Sequence, residues 1–292
     1  MFQFVDRILA MEPGKSALGV SHVGYGSLFT RPGANGARTI VPSIIGEALG
    51  QLAAWSAMKA NGFSRRPIAG IVGEVTVPVP AMTGETLLLQ ADIHTLSEES
   101  VRYDAVATLD GSEVLAIQDG LGPFLPMEEL NDPIEVQAHF DKIYQPGSFD
   151  QVVSPIAGSS TDKEPLIFGF DEVVDQPAEN EIVAEKSVPE TWMVFDEHFP
   201  RMPVLPLSLL LEDLLAFASQ WDGIQTLRPK RIYRVKMSNF VRPGATVRAR
   251  VRLENRTATQ ANFLFRCEVD GDRVCVARAE FGLTEGDSNH AT

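Results

Sequence analysis

The sequence predicts an α+β fold in which two tandem units each wrap an antiparallel sheet around one long central helix. Two observations support this prediction. First, four landmarks recur at a nearly constant spacing of 165 or 160 residues, namely Asp6 with Asp171, Glu47 with Glu212, Gly84 with Gly244, and Asp110-Gly111 with Asp270-Gly271. Second, each copy contains one apolar run of helical length followed by strand-like alternation between turn signals.

The first unit is expected to open with a strand and a long loop that lead into its helix. Ser43, directly after Pro42, is the predicted N-cap, and Asn61-Gly62 is the predicted stop. The helix is apolar on almost every face, so it should be buried on most sides. Strands joined by turns at Gly84 and at Asp110-Gly111 complete this unit.

Residues 128–163 are predicted to be a linker with a short helix, because they are rich in proline and glycine around one helical pattern. The predicted organisation is an N-terminal unit over 1–127, this linker, and a C-terminal unit over 164–292. In the second unit Pro206 and Ser208 should open the helix and Asp222-Gly223 should close it. The strands that follow are expected at 235–240, 246–253, 261–269 and 273–281.

The composition is typical of a globular protein, with 44% hydrophobic and 22% charged residues among 292. The first residues carry charge where an export signal would have an apolar core, and no stretch of eighteen apolar residues occurs. A cytoplasmic location is therefore expected. Cys267 and Cys275 are expected to be structural thiols in a reducing compartment.

Charge is distributed unevenly along the chain. The formal net charge is −14, yet residues 201–292 hold 14 basic against 10 acidic residues. This balance argues against nucleic-acid binding over a broad surface. It leaves a basic cluster made of Arg228, Lys230, Arg231, Arg234 and Lys236. Two interpretations stay open for the basic cluster, a solvated strand face or a docking site for an anionic partner.

The most informative segment covers residues 195–206 and reads Phe-Asp-Glu-His-Phe-Pro-Arg-Met-Pro-Val-Leu-Pro. It contains His198, and Glu212 follows fourteen residues later in an apolar run. An imidazole and a carboxyl group in this arrangement suggest an acid/base site. The first unit has Glu47 in a matching apolar run, but Gly33 stands fourteen residues before it. The chain therefore contains a duplicated unit, and both copies have the glutamate but only the second has the histidine.

This motif and the repeat resemble the beta-hydroxyacyl-(acyl carrier protein) dehydratase family (FabA/FabZ-like) of the hotdog fold. The resemblance implies a double hotdog, in which two units of one chain supply the family's minimal dimer. The sequence departs from the family pattern at Leu207, where a glycine is usual. It departs again at Ala216, where a glutamine is usual, whereas Gln51 keeps that glutamine in the first unit.

In such dehydratases the active site lies between two hotdog units. The resemblance implies one working site in this chain, with His198 as the base and Glu47 as the acid that protonates the leaving hydroxyl. Glu212 would belong to a vestigial or secondary site, because the first unit has no histidine at the matching position. The resemblance also implies a substrate-binding set made of Phe199, Pro200, Val204, Pro206 and Gln51.

The implied reaction removes water from 3-hydroxyacyl thioesters on acyl carrier protein, or on coenzyme A, to give trans-2-enoyl thioesters for fatty acid or polyketide-type biosynthesis. Because the carrier protein is acidic in its family, the basic cluster is the expected docking site. No metal or cofactor is expected, since the histidines lack metal-ligand spacing and no glycine-rich phosphate loop occurs. No nucleic-acid or membrane partner is expected, and a homo-oligomer beyond the pseudo-dimer stays open.

Two alternative functions stay open. A hotdog thioesterase would use a helix carboxylate to activate water, although that chemistry does not require the His-Phe-Pro segment. A non-catalytic acyl-binding or scaffolding subunit would fit the loss of one histidine. Thioester cleavage without dehydration would favour the thioesterase, and acyl binding without turnover would favour the scaffold.

Overall fold

The computed structural model describes residues 2–24, 27–33, 37–151 and 164–283. The elements of its first half are β1 (Arg7–Glu12), β2 (Ser16–His22), β3 (Thr30–Pro32), β4 (Arg38–Ile40), α1 (Pro42–Ala60), β5 (Arg65–Pro67), β6 (Ile71–Thr76), β7 (Thr86–Leu96), β8 (Ser100–Leu109), β9 (Ser112–Pro126), α2 (Met127–Leu130) and α3 (Pro133–Ile143). A short 3-10 turn covers Phe149–Gln151.

The elements of the second half are β10 (Glu172–Ala178), β11 (Glu181–Ser187), α4 (Leu207–Ser219), β12 (Arg228–Met237), β13 (Thr246–Arg256), β14 (Gln260–Val269) and β15 (Asp272–Gly282). Each half thus places one long helix ahead of a run of strands. The α+β prediction is confirmed. Helix α3 lies where the sequence predicts a helix within the linker, and the later linker residues 152–163 fall outside the described ranges.

Thirteen of the described strands form one sheet, in the order β1-β2-β7-β8-β9-β6-β12-β15-β14-β13-β11-β10, with β5 attached to β9. Neighbouring strands in this sheet run antiparallel. Strands β3 and β4 pair separately. The two halves join where β6 pairs with β12, with Val75 opposite Ile232. Each half therefore contributes one contiguous block of strands, and the blocks continue into one another.

The repeated glycine landmarks are turns with the same backbone conformation in both halves. Asp110 and Gly111 have φ values of 50° and 80°, and Asp270 and Gly271 have values of 52° and 85°. Positive φ at both central residues is the type I′ geometry that joins twisted strands tightly, and glycine at the second position adopts it without steric cost. The turns predicted at both positions are confirmed.

The repeated aspartates each accept a hydrogen bond from a backbone N–H at the equivalent place in their half. The Asp6 carboxylate accepts a hydrogen bond from the backbone N–H of His22 at 2.5 Å. The Asp171 carboxylate accepts one from the N–H of Ser187 at 2.7 Å. Each bond ties the start of a unit to the end of its second strand, so the shared spacing of the aspartates reflects a shared structural role.

The predicted N-cap at Ser43 is wrong. Helix α1 begins at Pro42 with Val41 as its N-cap, because proline fixes φ in the helical range and has no N–H to leave unsatisfied. The predicted stop is correct, since Asn61 is the C-cap. Ser43 is therefore already helical, and its hydroxyl is free to reach across to the other half.

Two boundaries in the second half also differ from the prediction. Helix α4 ends at Ser219, ahead of Asp222-Gly223, and Gly223 forms the turn that follows with a φ of 75°. The strand expected at 235–240 is β12, which begins seven residues earlier at Arg228. The charged residues of the basic cluster interrupt the apolar alternation, so the sequence pattern does not predict the first part of this strand.

Helix α1 is enclosed on nearly every side, as its apolar sequence predicts. Leu49, Leu52 and Ala53 have no exposed surface, and α1 contacts both the sheet and α4. Burial of one leucine side chain stabilises a fold by roughly 1.5–3 kcal/mol, so the two central helices anchor the core. No helix in the described ranges is both long enough and apolar enough to cross a membrane.

Cys267 and Cys275 lie opposite each other on β14 and β15. Both are buried free thiols. Burial raises the pKa of the Cys275 thiol to about 12, so the reactive thiolate is disfavoured at neutral pH. Their positions are those of small apolar residues in the sheet core.

Candidate active site

A cavity of about 150 Å³ lies beside α1 and reaches α4 and strands β6, β8 and β9. Its wall is mainly apolar. Among the described residues, the polar side chains on the wall are Ser43, Glu47, Gln51, Arg66, Tyr103, His198 and Ser208. Gly46 and Gly50 lie one turn apart on α1, and an added methyl group at Gly46 would meet nothing within 4 Å. The helix therefore leaves an open groove along the cavity.

His198 lies in the loop ahead of α4, where backbone bonds on both sides hold it. Its N–H donates to the carbonyl of Val194 at 2.9 Å, and its carbonyl accepts from Val204 N–H at 3.0 Å. The peptide bond between His198 and Phe199 is cis. The imidazole stacks on the Phe199 ring with centroids 4.1 Å apart and meets the edge of Phe2 at 5.5 Å. These contacts fix the plane of the ring.

The hydrogen bonds of His198 determine its tautomer. Nδ1 lies 3.1 Å from the carbonyl oxygen of Val204. Because a carbonyl oxygen only accepts hydrogen bonds, Nδ1 carries the proton and Nε2 keeps its lone pair. Burial lowers the pKa of His198, although the nearby Glu47 carboxylate acts in the opposite direction. The imidazole is therefore neutral at pH 7 and can accept a proton at Nε2.

Glu47 projects from α1 and is held by two donors. Its Oε2 accepts from the Ser208 hydroxyl at 2.8 Å, and its Oε1 accepts from the Gln51 side chain at 3.0 Å. Gln51 is itself oriented by the N–H of Phe4 at 2.9 Å and the carbonyl of Phe2 at 3.2 Å. The carboxylate of the first half therefore depends on a serine from the second half.

The same bond occurs in reverse between Ser43, which also lines the cavity, and Glu212. The Ser43 hydroxyl donates to Oε2 of Glu212 at 3.0 Å, and Ser43 lies 165 residues before Ser208. Each central helix thus offers a serine in its first turn to the glutamate of the other helix. The two serines follow the spacing of the two glutamates, so the repeat extends to the polar groups between the helices.

The two glutamates differ in what faces them. Glu47 shares the cavity wall with His198, whereas Glu212 is 1% exposed and lies 3.5 Å from the guanidinium of Arg31. Gly33 stands at the position that matches His198. Burial raises the pKa of Glu212, and the charge of Arg31 partly offsets this. Among the described residues, Glu212 therefore has a cation, a hydroxyl and a backbone N–H as partners, and no imidazole.

Sequence comparisons identify the family. The model of the ApeI-like family, described as ApeI dehydratase, matches residues 174–278. The 3-hydroxyacyl-(acyl-carrier-protein) dehydratase FabZ of Methylobacterium sp. (strain 4-46) is 33% identical over 122 residues, which cover 38% of this chain and 72% of that protein. The chain belongs to the FabZ/ApeI-like family of hotdog dehydratases.

Solved structures agree on the fold. A MaoC-like dehydratase matches with a TM-score of 0.52 at 10% identity, covering 93% of this chain and 98% of its own. The 12:0-ACP thioesterase from Umbellularia californica matches with a TM-score of 0.56 at 11% identity, covering 91% and 93%. At such low identity these matches show the fold alone. They confirm the double hotdog that the sequence predicts.

Of the five predicted substrate-binding residues of this hotdog dehydratase, two line the cavity and three do not. Phe199 and Gln51 line the cavity. Val204 is buried in a small cluster with Phe199, Pro200 is exposed, and Pro206 is the N-cap of α4. Val204 contributes its carbonyl to His198 rather than a surface to the cavity. The substrate-binding role of the set stays a prediction.

The basic cluster lies on β12, and its members differ in the ion pairs and hydrogen bonds that they already make. Arg231 pairs with Glu74 at 3.3 Å and Glu280 at 3.0 Å, so its charge is already offset. Arg228 donates to backbone carbonyls, Lys230 reaches the carbonyl of Pro78 at 3.5 Å, and Arg234 lies at a bulge with a φ of 52°. Lys236 pairs across the sheet with Ile71. Its docking role also stays a prediction.

Four polar side chains on the cavity wall were not predicted as site residues, namely Ser43, Ser208, Arg66 and Tyr103. Ser208 could have been found, because it matches Ser43 at the spacing of the repeat. Arg66 and Tyr103 belong to no motif and reach the cavity only through sheet pairing and packing against α1. Burial raises the pKa of Tyr103, so its hydroxyl stays protonated. Within the described ranges, no three His, Cys, Asp or Glu side chains cluster as a metal site would require.

Proposed function

We propose that this chain dehydrates 3-hydroxyacyl thioesters to trans-2-enoyl thioesters, with His198 as the base and Glu47 as the acid. One observation carries the proposal. A neutral imidazole with a free Nε2 and a hydrogen-bonded carboxyl group, from opposite halves of the chain, line one largely apolar cavity. A base and an acid on one apolar cavity are what β-elimination from an acyl chain requires.

The first step is removal of the proton at C2. Nε2 of His198 accepts it, and the electron pair of the C–H bond moves into the C1–C2 bond while negative charge develops on the thioester oxygen. The bond from Nδ1 to Val204 fixes the ring as it becomes an imidazolium, because that N–H keeps its acceptor throughout.

The second step expels the hydroxyl group from C3. Glu47 enters this step as the neutral carboxylic acid and donates its proton to this oxygen. The C3–O bond breaks, water leaves and the C2–C3 double bond forms. The donors Ser208 and Gln51 are placed to stabilise the carboxylate that remains on Glu47. The elimination is redox-neutral for the substrate as a whole, so no oxidant, reductant or other co-reactant is needed.

The cavity wall favours an acyl chain as the substrate. Glycines 46 and 50 open a groove along α1, and the opposite side is formed by apolar residues such as Ile117, Leu121 and Leu211. Burial of each methylene group there would contribute roughly 0.8 kcal/mol. Binding energy from the chain would thus position C2 and C3 beside the two polar groups.

We also propose that the substrate arrives on acyl carrier protein, with coenzyme A as the alternative carrier. Ile71 lines the cavity and is 39% exposed, which places an opening beside it. Lys236 lies opposite Ile71 on the neighbouring strand, so the basic cluster ends at this opening. Reversal of the Lys236 charge should raise KM for carrier-bound substrate and leave KM for a short uncharged thioester unchanged. Equal effects on both substrates would contradict docking at this strand.

The test is product analysis with a 3-hydroxyacyl thioester. Wild type should form the enoyl thioester, seen as new ultraviolet absorbance and by mass as the loss of one water. His198→Ala should form it at a rate lower by about 10²- to 10⁴-fold while keeping its melting temperature. Release of free thiol and carboxylic acid without loss of water would instead assign a thioesterase. Binding without any product would assign the acyl-binding role.

A further inference from the structure

Arg66 is a cation on the cavity wall that the proposed reaction has not used. It lies in β5, where side chains alternate between the two faces of the strand. Arg65 is exposed, whereas Arg66 is partly buried and lines the cavity together with His198 and Glu47. Arg66 and His198 also line a second, smaller cavity beside Gln51. The two side chains are therefore neighbours on the wall.

The guanidinium of Arg66 has few partners. Nη1 donates to the side-chain oxygen of Asn131 at 2.9 Å, and the guanidinium carbon lies 4.7 Å from the centre of the Phe199 ring. No carboxylate of the described residues lies within 4.0 Å of it, and its other N–H groups bind no described residue. Donors therefore remain available to a group in the cavity.

A cation in this position is costly for folding. Removal of a guanidinium from water is compensated only when charge and hydrogen bonds replace the lost hydration. A neutral amide and an aromatic face replace it only in part. Burial lowers the pKa of Arg66 to about 10, so the group still carries its charge at neutral pH. The charge of Glu47 acts on Arg66 in the opposite direction, but the two groups form no ion pair. A cation that is only partly compensated in a cleft is typical of a group that acts on a ligand.

We infer that Arg66 is a third catalytic residue, whose free N–H groups bind the thioester oxygen of the substrate and stabilise the negative charge that develops there. The inference rests on the proposed dehydration. When His198 takes the proton from C2, the electron pair of the carbonyl moves to this oxygen. Collapse of that charge then expels the hydroxyl group that Glu47 protonates.

The position of Arg66 favours the thioester oxygen over a phosphate of the carrier arm. Phe199 contacts both the imidazole of His198 and the guanidinium of Arg66. The thioester oxygen is bonded to C1, the neighbour of the carbon that His198 deprotonates, so it must lie close to His198 in any reactive complex. A phosphate belongs to the carrier arm, many bonds further from the reacting carbons.

The test compares Arg66→Gln and Arg66→Ala with Arg65→Gln, the matched control on the same strand. Arg65 is exposed and donates to the backbone carbonyl of Glu98 away from the cavity. Loss of one oxyanion donor lowers kcat by about 10²- to 10³-fold. We expect that loss in both Arg66 variants, with KM within a few-fold and with melting temperatures near that of Arg65→Gln. Added guanidinium at low millimolar concentration should restore part of the kcat of Arg66→Ala.

Each other outcome overturns the inference. Unchanged kcat in Arg66→Gln would show that the guanidinium has no part in the reaction. A raised KM with unchanged kcat would assign Arg66 to ground-state binding of the carrier arm. A loss of kcat that tracks a loss of melting temperature, without rescue by guanidinium, would make Arg66 a structural residue. If wild type forms no enoyl thioester, the proposed function falls and this inference with it.

Discussion

The two serines between the central helices allow one substitution to be compared at two equivalent positions. Ser208 and Ser43 are each the second residue of their helix, so replacement by alanine has the same effect on helix propensity at both. Ser208 donates to Glu47, the proposed acid, at 2.8 Å. Ser43 donates to Glu212, which faces Arg31, at 3.0 Å. Ser208→Ala should therefore impair activity and Ser43→Ala should impair stability.

The magnitudes follow from the partners that remain. A hydrogen bond to a charged group contributes about 1.5–3 kcal/mol, which corresponds to about a 10- to 100-fold loss of kcat in Ser208→Ala if the bond forms fully in the transition state. Glu212 is 1% exposed and would keep the guanidinium of Arg31 at 3.5 Å and the backbone N–H of residue 43 as partners, but would lose the hydroxyl. Ser43→Ala should therefore cost about 1–3 kcal/mol of unfolding free energy, with kcat within about twofold.

The assay is enoyl thioester formation under saturating substrate, with thermal and urea unfolding of both variants. The expected result is a crossed pattern, in which Ser208→Ala loses activity at nearly wild-type stability and Ser43→Ala does the reverse. Equal losses of kcat in the two variants would refute the assignment of a single working site. A larger loss of kcat in Ser43→Ala would place the chemistry at Glu212.

Three further predictions follow from burial and packing. Because burial lowers the pKa of His198, kcat/KM should stay constant down to pH 6.5, the ordinary pKa of histidine, and fall only at lower pH as the base becomes protonated; a fall that begins above pH 7 in a pH–rate profile would contradict this. Asp213→Ala should destabilise the fold by about 1–3 kcal/mol in urea unfolding, because the partly buried ammonium of Lys186 loses its carboxylate at 2.9 Å and keeps the Gly169 carbonyl at 3.1 Å, and a cost below about 0.5 kcal/mol would show that solvent replaces the carboxylate. In Gly120→Ala, the new methyl group would lie 2.7 Å from the Tyr103 ring, so a crystal structure should show the ring displaced into the cavity and KM should rise; an unmoved ring would mean that the strand yields instead.

The sequence predicts the fold well where the signal is local or repeated. Type I′ turns need glycine at a defined position, and the two Asp-Gly pairs mark strand ends that the structure confirms. The burial of the two central helices can be predicted from their composition alone, because a helix that is apolar on all faces is buried on most sides. The double hotdog followed from these elements and from the resemblance of the motif around His198.

The rest depends on contacts between distant residues. Ser43 looked like an N-cap, but Pro42 opens the helix and the serine bonds to a glutamate 169 residues away. Arg66 occurs in a three-residue strand beside a second arginine, and only the pairing of β5 with β9 determines which of the two faces the cavity. No local pattern contains such information. The division into units at 127 and 163 stays a prediction.

The central claim is that one site per chain, formed by His198 and Glu47 across the two halves, carries out the dehydration. The most direct test measures enoyl thioester formation by wild type, His198→Ala, Glu47→Gln and Glu212→Gln, each checked for folding. Loss of general acid or base catalysis typically lowers the rate by 10²- to 10⁴-fold, so we expect the first two variants to lose about that much and Glu212→Gln to keep its activity. An equal loss in Glu212→Gln, or full activity in Glu47→Gln, would contradict the single cross-unit site.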